Sequence, residues 1–458
     1  MHLSEQLASR YRRHIMIPEI GTSGQKKIID SAVLIEGASV ESVTPLLFYL
    51  VASGIGTIFL NLDNKNNLAN ITENLLDLNP EIEILTDERN TNNISIKVIV
   101  GDKTFVQKAL NKNKCLRSNV YTPTLILLQG SWCGIIQLIR VHKELDFAFE
   151  LTQKYLPDPS SYLEKSFCDA GKTISSCFIG ALGSIETIKS CLNIGSFLHI
   201  PLFFDLLNMR FVNEADYKPF YSDKVVENSA HIKDISGARV LVVGTGGLGS
   251  PAAYALTSLG INTIGIVDSD TVELSNLNRQ ILHSTSRIGI PKVKSAETFL
   301  NILNPSINII TFNTRLTSIN AQNIIADFDM VISAVDNLQT RYILNDACYH
   351  AKKPLAEAGV FMFDGLNFTI LPDKGPCYRC LFPQISPSGE MSSFSEAGIL
   401  GPVPGVMGTI QASETFKVLS GVGKTLEHNL LLYDALEAEF RMANLNKNPN
   451  CQLCGNKF

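Results

Sequence analysis

Short apolar runs alternate with helix-period segments along the whole chain, and they do so twice. In the C-terminal half, GARVLVVG (237–244) reads as a buried strand, SPAAYALTSLG (250–260) as a small-residue helix closing on Gly260, and LGINTIGIVDSD (259–270) as the following strand. In the N-terminal half, VLIEGASVES (33–42) begins with the same strand but keeps only one glycine in its turn, and SGIGTIFLNLD (53–63) stands where the next strand belongs. An Asn-Pro pair follows in each half, at Asn79-Pro80 and Asn304-Pro305. Further on, DAGKTISSCFIGALGSIETIKSCL (169–192) is echoed by EAGILGPVPGVMGTIQASETFKVL (396–419). The pattern describes a tandem duplication of βαβ units, hence an α/β protein with two doubly wound parallel sheets. Residues 1–212 and 237–458 are the expected domains, joined by a charged linker over 213–236.

A chain of 458 residues exceeds one ordinary core, which agrees with two domains. With 45% hydrophobic and 18% charged residues and no low-complexity tract, it reads as globular. A formal charge of −5 and a pI near 6.0 give no reason to expect nucleic acid as a partner. No apolar run is long enough to span a bilayer, and the N-terminus MHLSEQLASRYRRH is polar, so a cytoplasmic location without membrane contact is expected. The ten cysteines then read first as thiols or metal ligands rather than disulfides.

Chemistry concentrates in the second half. Gly244, Gly246, Gly247 and Gly249 suit a turn where backbone approaches a phosphate and a helix N-terminus faces it. Asp268, with Asp270 just beyond, ends the next strand, where a carboxylate can bond a ribose. That much says dinucleotide or nucleotide and no more. Asn276, Arg279 and Gln280 follow, then Lys292 on a second loop; cations beside phosphates suit an enzyme that breaks a triphosphate better than one that transfers hydride. Asp336 and Asn337 end a further buried strand on the ligand side of the sheet, where a carboxylate can hold magnesium. Cys377-Tyr-Arg-Cys380 and Cys451-Gln-Leu-Cys454 have the spacing of a four-thiolate structural zinc site.

The segments RVLVVGTGGLGS, VDSDTVELSNLNRQ, GIPKVKSAE, AVDNLQTRYILND, GPCYRCLFP and AGILGPVPGVMGTIQASETFKVLSG resemble the ThiF/MoeB/HesA family, relatives of the ubiquitin-activating enzymes. The resemblance covers the second half from about Gly237 onward. It implies two Rossmann-like domains arranged as a pseudo-dimer, the second with a zinc knuckle, and an adenylyltransferase in which a C-terminal carboxylate attacks the α-phosphate of Mg-ATP. It also implies residue roles. Asp268 would hold the ribose, Asn276, Arg279, Gln280 and Lys292 the phosphates, Asp336 the magnesium, and the four cysteines zinc.

Family members are typically symmetric dimers in which an arginine of an RYxRQ-like motif near the start of one subunit reaches the other's site. The first half has RYRRH (10–14), placing Arg13 there, while the equivalent interval before Gly244 leads to Tyr217 in YKPFY, without arginine. The stretch from Asp63 to Asn79 is about half as long as that from Asp270 to Asn304, so the loop bearing the Asn, Arg and Lys counterparts is missing. The first half, which also lacks CxxC pairs, is therefore expected to be a catalytically inactive domain that lends Arg13 to the second. The chain would be a monomeric pseudo-dimer, with a homodimer through another face still open.

One departure concerns the crossover segment, where members that form a covalent link often carry a cysteine. SSFSEAGILG has Phe394 there, and Cys168 in CDAG is one residue out of register, so no covalent cysteine intermediate is expected on this loop. No rhodanese or ubiquitin-fold domain that would receive the product is expected after CQLCGNKF. The expected substrate is a ubiquitin-like sulfur-carrier protein, or alternatively a short ribosomal peptide of the microcin type, each with a free C-terminal carboxylate. An NAD-dependent oxidoreductase would leave Arg279, Lys292 and the cysteine pairs without a role, and a non-catalytic scaffold would leave the intact motifs idle.

Overall fold

The apolar runs form two eight-stranded sheets of identical topology. The computed structural model describes residues 3–86, 93–115, 122–141, 144, 146, 148–150, 165–213, 232–383 and 398–455. The first half opens with α1 (Glu5–Arg10), α2 (Arg12–Ile15) and α3 (Gly21–Ile29). It continues through β1 (Ala32–Ser39), α4 (Val40–Ser53), β2 (Thr57–Asn64), α5 (Leu68–Leu78), β3 (Glu83–Leu85), β4 (Ile96–Gly101), α6 (Lys103–Cys115), β5 (Thr124–Gln129) and β6 (Cys133–Ile139). A long helix α7 (Lys165–Leu192), β7 (Leu202–Asp205) and β8 (Arg210–Asn213) complete it.

The second half repeats the plan with β9 (Arg239–Val243), α8 (Gly249–Ser258), β10 (Thr263–Asp268), α9 (Lys292–Leu303), β11 (Asn308–Asn313), α10 (Ala321–Ala326) and β12 (Met330–Ser333). Then come α11 (Leu338–His350), β13 (Leu355–Phe361), β14 (Asp364–Ile370), α12 (Tyr378–Leu381), α13 (Val403–Ser420), β15 (Asn429–Asp434) and β16 (Glu439–Asn444). The sheet orders are β3-β2-β1-β4-β5-β6-β7-β8 and β11-β10-β9-β12-β13-β14-β15-β16, parallel through β5 and β13 and antiparallel beyond. In each, the order reverses beside the first strand, and ligands of such sheets bind at that crevice beyond the strand ends. The duplication extends to small details: Asn79 and Asn304 both cap their helices with nearly the same backbone angles, φ −146° and −142°.

Between β10 and α9 lie two 3₁₀ turns, Leu274–Asn276 and Thr285–Arg287, whereas β2 runs almost directly into α5. This is the segment missing from the first half. The expected linker over 213–236 falls mostly outside the described residues, as do Tyr217 and Phe394. Cys168 is buried within α7.

One apolar cluster runs through both halves. It includes Val33, Leu47 and Phe178 from the first and Val240, Ala252 and Met407 from the second, all buried. Helices α7 and α13, the echoed segments, pack on each other and on α4 and α8. Phe48 meets Tyr254 and Phe299 edge-on at 6.0 and 5.8 Å, Phe211 stacks on Phe440 at 4.1 Å, and Trp132 lies 4.7 Å from Phe416. Each long helix also buries an ion pair at equivalent positions, Glu186 with Lys189 and Glu414 with Lys417. Lys417 Nζ also donates to the carbonyl of Leu206 across the seam at 3.0 Å. Removing one partner of such a pair strands a buried charge, at about 3–5 kcal/mol.

Because the core is continuous, the two halves should unfold together. Trp132, the single tryptophan, sits in the first half against Phe416 of the second. Its fluorescence and far-UV circular dichroism should therefore trace one coincident denaturant transition. Two separated transitions would show that each half holds its own core.

Candidate active site

The crevice at the β9/β12 reversal opens into a cavity of about 910 Å³. Gly244, Gly246 and Gly247 line it after β9, Asp268 and Asp270 after β10, and Asp336 and Asn337 after β12. Arg279, Gln280 and Lys292 enter from the inserted loop, and Arg13 enters from the first half. Beyond Asp336 the cavity continues past Gly359 and Phe361 to Asp364 and Asp434.

The turn is built for close backbone approach. Gly244 has φ +93°, and a Cβ on Gly249 would lie 1.8 Å from the Gly244 carbonyl oxygen. Gly249 thus packs the helix against the turn and does not line the cavity. Helix α8 starts after Leu248 with no side-chain cap: its Ser250 N–H donates to the Gly246 carbonyl at 3.0 Å and Pro251 has no N–H, so the glycine turn itself closes the helix start while Gly246 and Gly247 line the cavity. The degenerate copy differs here: Ser39 and Ser42 form a capping box that satisfies the start of α4 from within.

Asp268 is held by its own turn. One carboxylate oxygen accepts from the Thr245 N–H at 2.8 Å and hydroxyl at 2.9 Å, and the other accepts from the Asp270 N–H. Lys292, at the start of α9, pairs with Asp270 at 2.9 Å. Arg279 donates to the Ser275 carbonyl and Asn278 Oδ1 and is half-buried against the cavity. Burial, then the adjacent Arg13 charge, lowers its pKa to about 10, with Asp336 and Glu273 opposing. Two guanidiniums gathered in one crevice call for an anion.

Asn276 does not line the cavity. Its Oδ1 accepts from the Glu273 N–H and its carbonyl from the Gln280 N–H, so it shapes the turn that presents Arg279 and Gln280. Asn337 lines the cavity and also caps α11 through Thr340 N–H at 2.9 Å. Sequence reasoning passed over Arg341, which pairs with buried Glu357 and donates to the carbonyls of Val335 and Ala358 at 2.7 and 2.6 Å. It ties the loop bearing Asp336 to β13. Its only sequence signal is its place in AVDNLQTRYILND.

Away from the crevice, the sulfurs of Cys377, Cys380, Cys451 and Cys454 all lie within 4.8 Å of one another. Tetrahedral zinc with Zn–S near ~2.3 Å requires S···S separations of about 3.8 Å, so the four fit one ion. They join the C-terminal segment to α12.

The ThiF family model matches residues 221–453. The chain belongs to the ThiF family. Among relatives, a sulfur carrier protein adenylyltransferase of Thermus thermophilus is 45% identical over 48% of this chain and 83% of its own. A SAMP-activating enzyme E1 of Haloferax volcanii is 41% identical over 48% and 80%. Among solved structures, E. coli MccB with ATP is similar at 18% identity over 69% of this chain and 83% of that one, with a TM-score of 0.46. This ThiF-family chain is an enzyme of the adenylyltransferase type. Among the described residues, no helix is long and apolar enough to cross a membrane.

Two buried histidines brace the site in neutral form. His283 lies between Ser295 Oγ at 2.9 Å and the Thr245 carbonyl at 3.0 Å, and burial pushes its pKa down to about 3. His14, bonded to Gln25, is pushed down to about 4, again mainly by burial. Both groups stay neutral when folded but protonate near pH 6.5 when unfolded. Stability is therefore complete above about pH 6.5 and declines as pH falls toward 4, by up to roughly 2.7 kcal/mol per pH unit for the two together. Urea midpoints from pH 7.5 to 5 should show this slope, and His283→Gln should remove about half of it. An unchanged slope in that variant would assign it to other groups.

Proposed function

We propose that this chain adenylates the C-terminal carboxylate of a small ubiquitin-like sulfur-carrier protein. It would use Mg-ATP, release pyrophosphate and act in the cytoplasm. The observation that carries the reading is the convergence of Arg13 from one half with Arg279, Lys292 and Asp336 from the other on the cavity at the glycine turn. The two relatives whose names specify sulfur-carrier and SAMP activation support the substrate class.

In this reading one substrate carboxylate oxygen forms a bond to the α-phosphorus as the bond to the bridging oxygen breaks. The electron pair leaves with pyrophosphate. The carboxylate is already ionised at neutral pH, so no general base is required, and orientation and charge stabilisation carry the rate. Arg13, Arg279 and Lys292 would neutralise charge on the phosphates, Gln280 and the backbone of the glycine turn would orient them, and Asp268 would hold the ribose. The oxygen donors of Asp336 suit magnesium, which when bound draws charge from the phosphate oxygens. Asn276 and Gly249 would shape the site from behind. The four cysteines would hold a structural zinc, with no open position for chemistry.

The first half would be a catalytically inactive partner. The missing loop supports this, and so does the turn before α4, which keeps one glycine and is closed by the mutual bonds of Ser39 and Ser42. One chain would then supply one complete site as a pseudo-dimer.

ATP–pyrophosphate exchange with Gly-Gly-tailed carriers and short peptides tests the reading. Exchange should require a free carboxylate, and Arg13→Ala and Asp336→Asn should each lower it by about 10²–10³-fold while the fold persists. An unimpaired Arg13→Ala would sink the contribution across the halves. A response to peptides alone would move the substrate to the microcin type, and ATP binding without exchange would favour a scaffold. Metal analysis should find one zinc per chain, lost in Cys451→Ser together with thermal stability.

A further inference from the structure

We propose that His14 is a positioning residue for this reaction, because its imidazole holds the strap 398–401 that ties Arg13, the Arg279 turn and the Phe361 side of the cavity together. The inference rests on the adenylation reading for its consequence in rate, but not for its geometry.

The strap touches three parts of the site. On the first half, the Ile399 N–H donates to the Arg13 carbonyl at 3.0 Å, and the Gly401 N–H donates to His14 Nε2 at 2.9 Å. On the nucleotide side, Gly401 packs so closely on the Asn278 carbonyl that a Cβ would lie 2.2 Å from its oxygen. Asn278 in turn accepts from Arg279. On the Phe361 side of the cavity, the strap pairs with Met362, whose N–H donates to the Gly398 carbonyl and whose carbonyl accepts from the Leu400 N–H. Gly398, Ile399 and Phe361 all line the cavity, and the strap leads into α13.

His14 can make its two bonds only in one form. Nε2 accepts from Gly401, so the proton must sit on Nδ1, which donates to Gln25 Oε1 at 2.9 Å. Gln25 is held by its own donation to the Ser53 carbonyl. The ring is fully buried, with Tyr11 stacked at 6.5 Å. A side chain that merely filled space would not need an acceptor at this atom.

Two substitutions separate the bonds. His14→Asn can still donate to Gln25 but offers nothing to Gly401, whereas His14→Gln places an amide oxygen near the former Nε2. In the full-length protein, below its thermal midpoint, His14→Asn should lower the exchange kcat about tenfold, the cost of one buried hydrogen bond, with the KM for ATP unchanged. It should also lose hydrogen-exchange protection at Gly401, and His14→Gln should keep both rate and protection. Wild-type rate and protection in His14→Asn, or equal losses in both variants, would overturn the proposal. If the wild-type protein exchanges with no substrate, the adenylation reading fails, while amide protection still judges the strap. If neither variant folds, nitrogen-15 spectra of the wild-type imidazole decide: a proton on Nδ1 supports the proposal, and one on Nε2 refutes it.

Discussion

The packing of α7 against α13, with α4 and α8 alongside, is the contact on which the other features depend. These helices are apolar over most of their surface, so neither sheet can bury them from its own side alone. Their union fixes where the first half begins relative to where the second half's strands end. Arg13 therefore lines a cavity otherwise made by residues far along the chain. Buried ion pairs at matching positions of α7 and α13 add a geometric requirement that a loosely packed seam could not meet.

Within that frame, the two copies illustrate alternative fates of a helix N-terminus. The first N–H groups of any helix lack internal partners and seek an acceptor. In α4 the acceptor is Ser39, one residue away, and the local structure closes on itself. In α8 no side chain takes that place: the Gly246 carbonyl accepts from the Ser250 N–H, and the glycine turn that supplies it lines the crevice with Arg13, Arg279 and Lys292. Such concentrated charge is costly without an anion, and Asp336 and Asp270 offset only part of it.

Much of this was legible in the chain. That the glycine turn, Asp268, Arg279, Lys292 and Asp336 share one crevice follows from each occupying the end of an apolar strand or the segment after it, since strand ends converge in a doubly wound sheet. The cysteine pairs were identifiable for a similar reason, since a two-residue spacing presents two sulfurs to one point. The bracing residues were not. Arg341, Glu357, His14 and Gln25 act through buried bonds between segments distant in sequence, and nothing local distinguishes them from ordinary helix and strand residues. Asn276 was identified as a residue of the site, but only the folded loop showed it shaping a turn from behind.

By itself, the sequence determined the duplication, the fold class, the loss of the first turn and the set of charged groups available for chemistry. Hydrophobic period, glycine position and residue type are local properties, and a parallel βαβ plan leaves few ways to arrange them. Only the tertiary structure decided that Arg13 and the second half share one cavity. It also decided that the strap over 398–401 is held from both halves, and that the histidines behind the site are neutral. Those outcomes depend on burial and on hydrogen bonds across hundreds of residues, and their energies exist only once the two cores have become one.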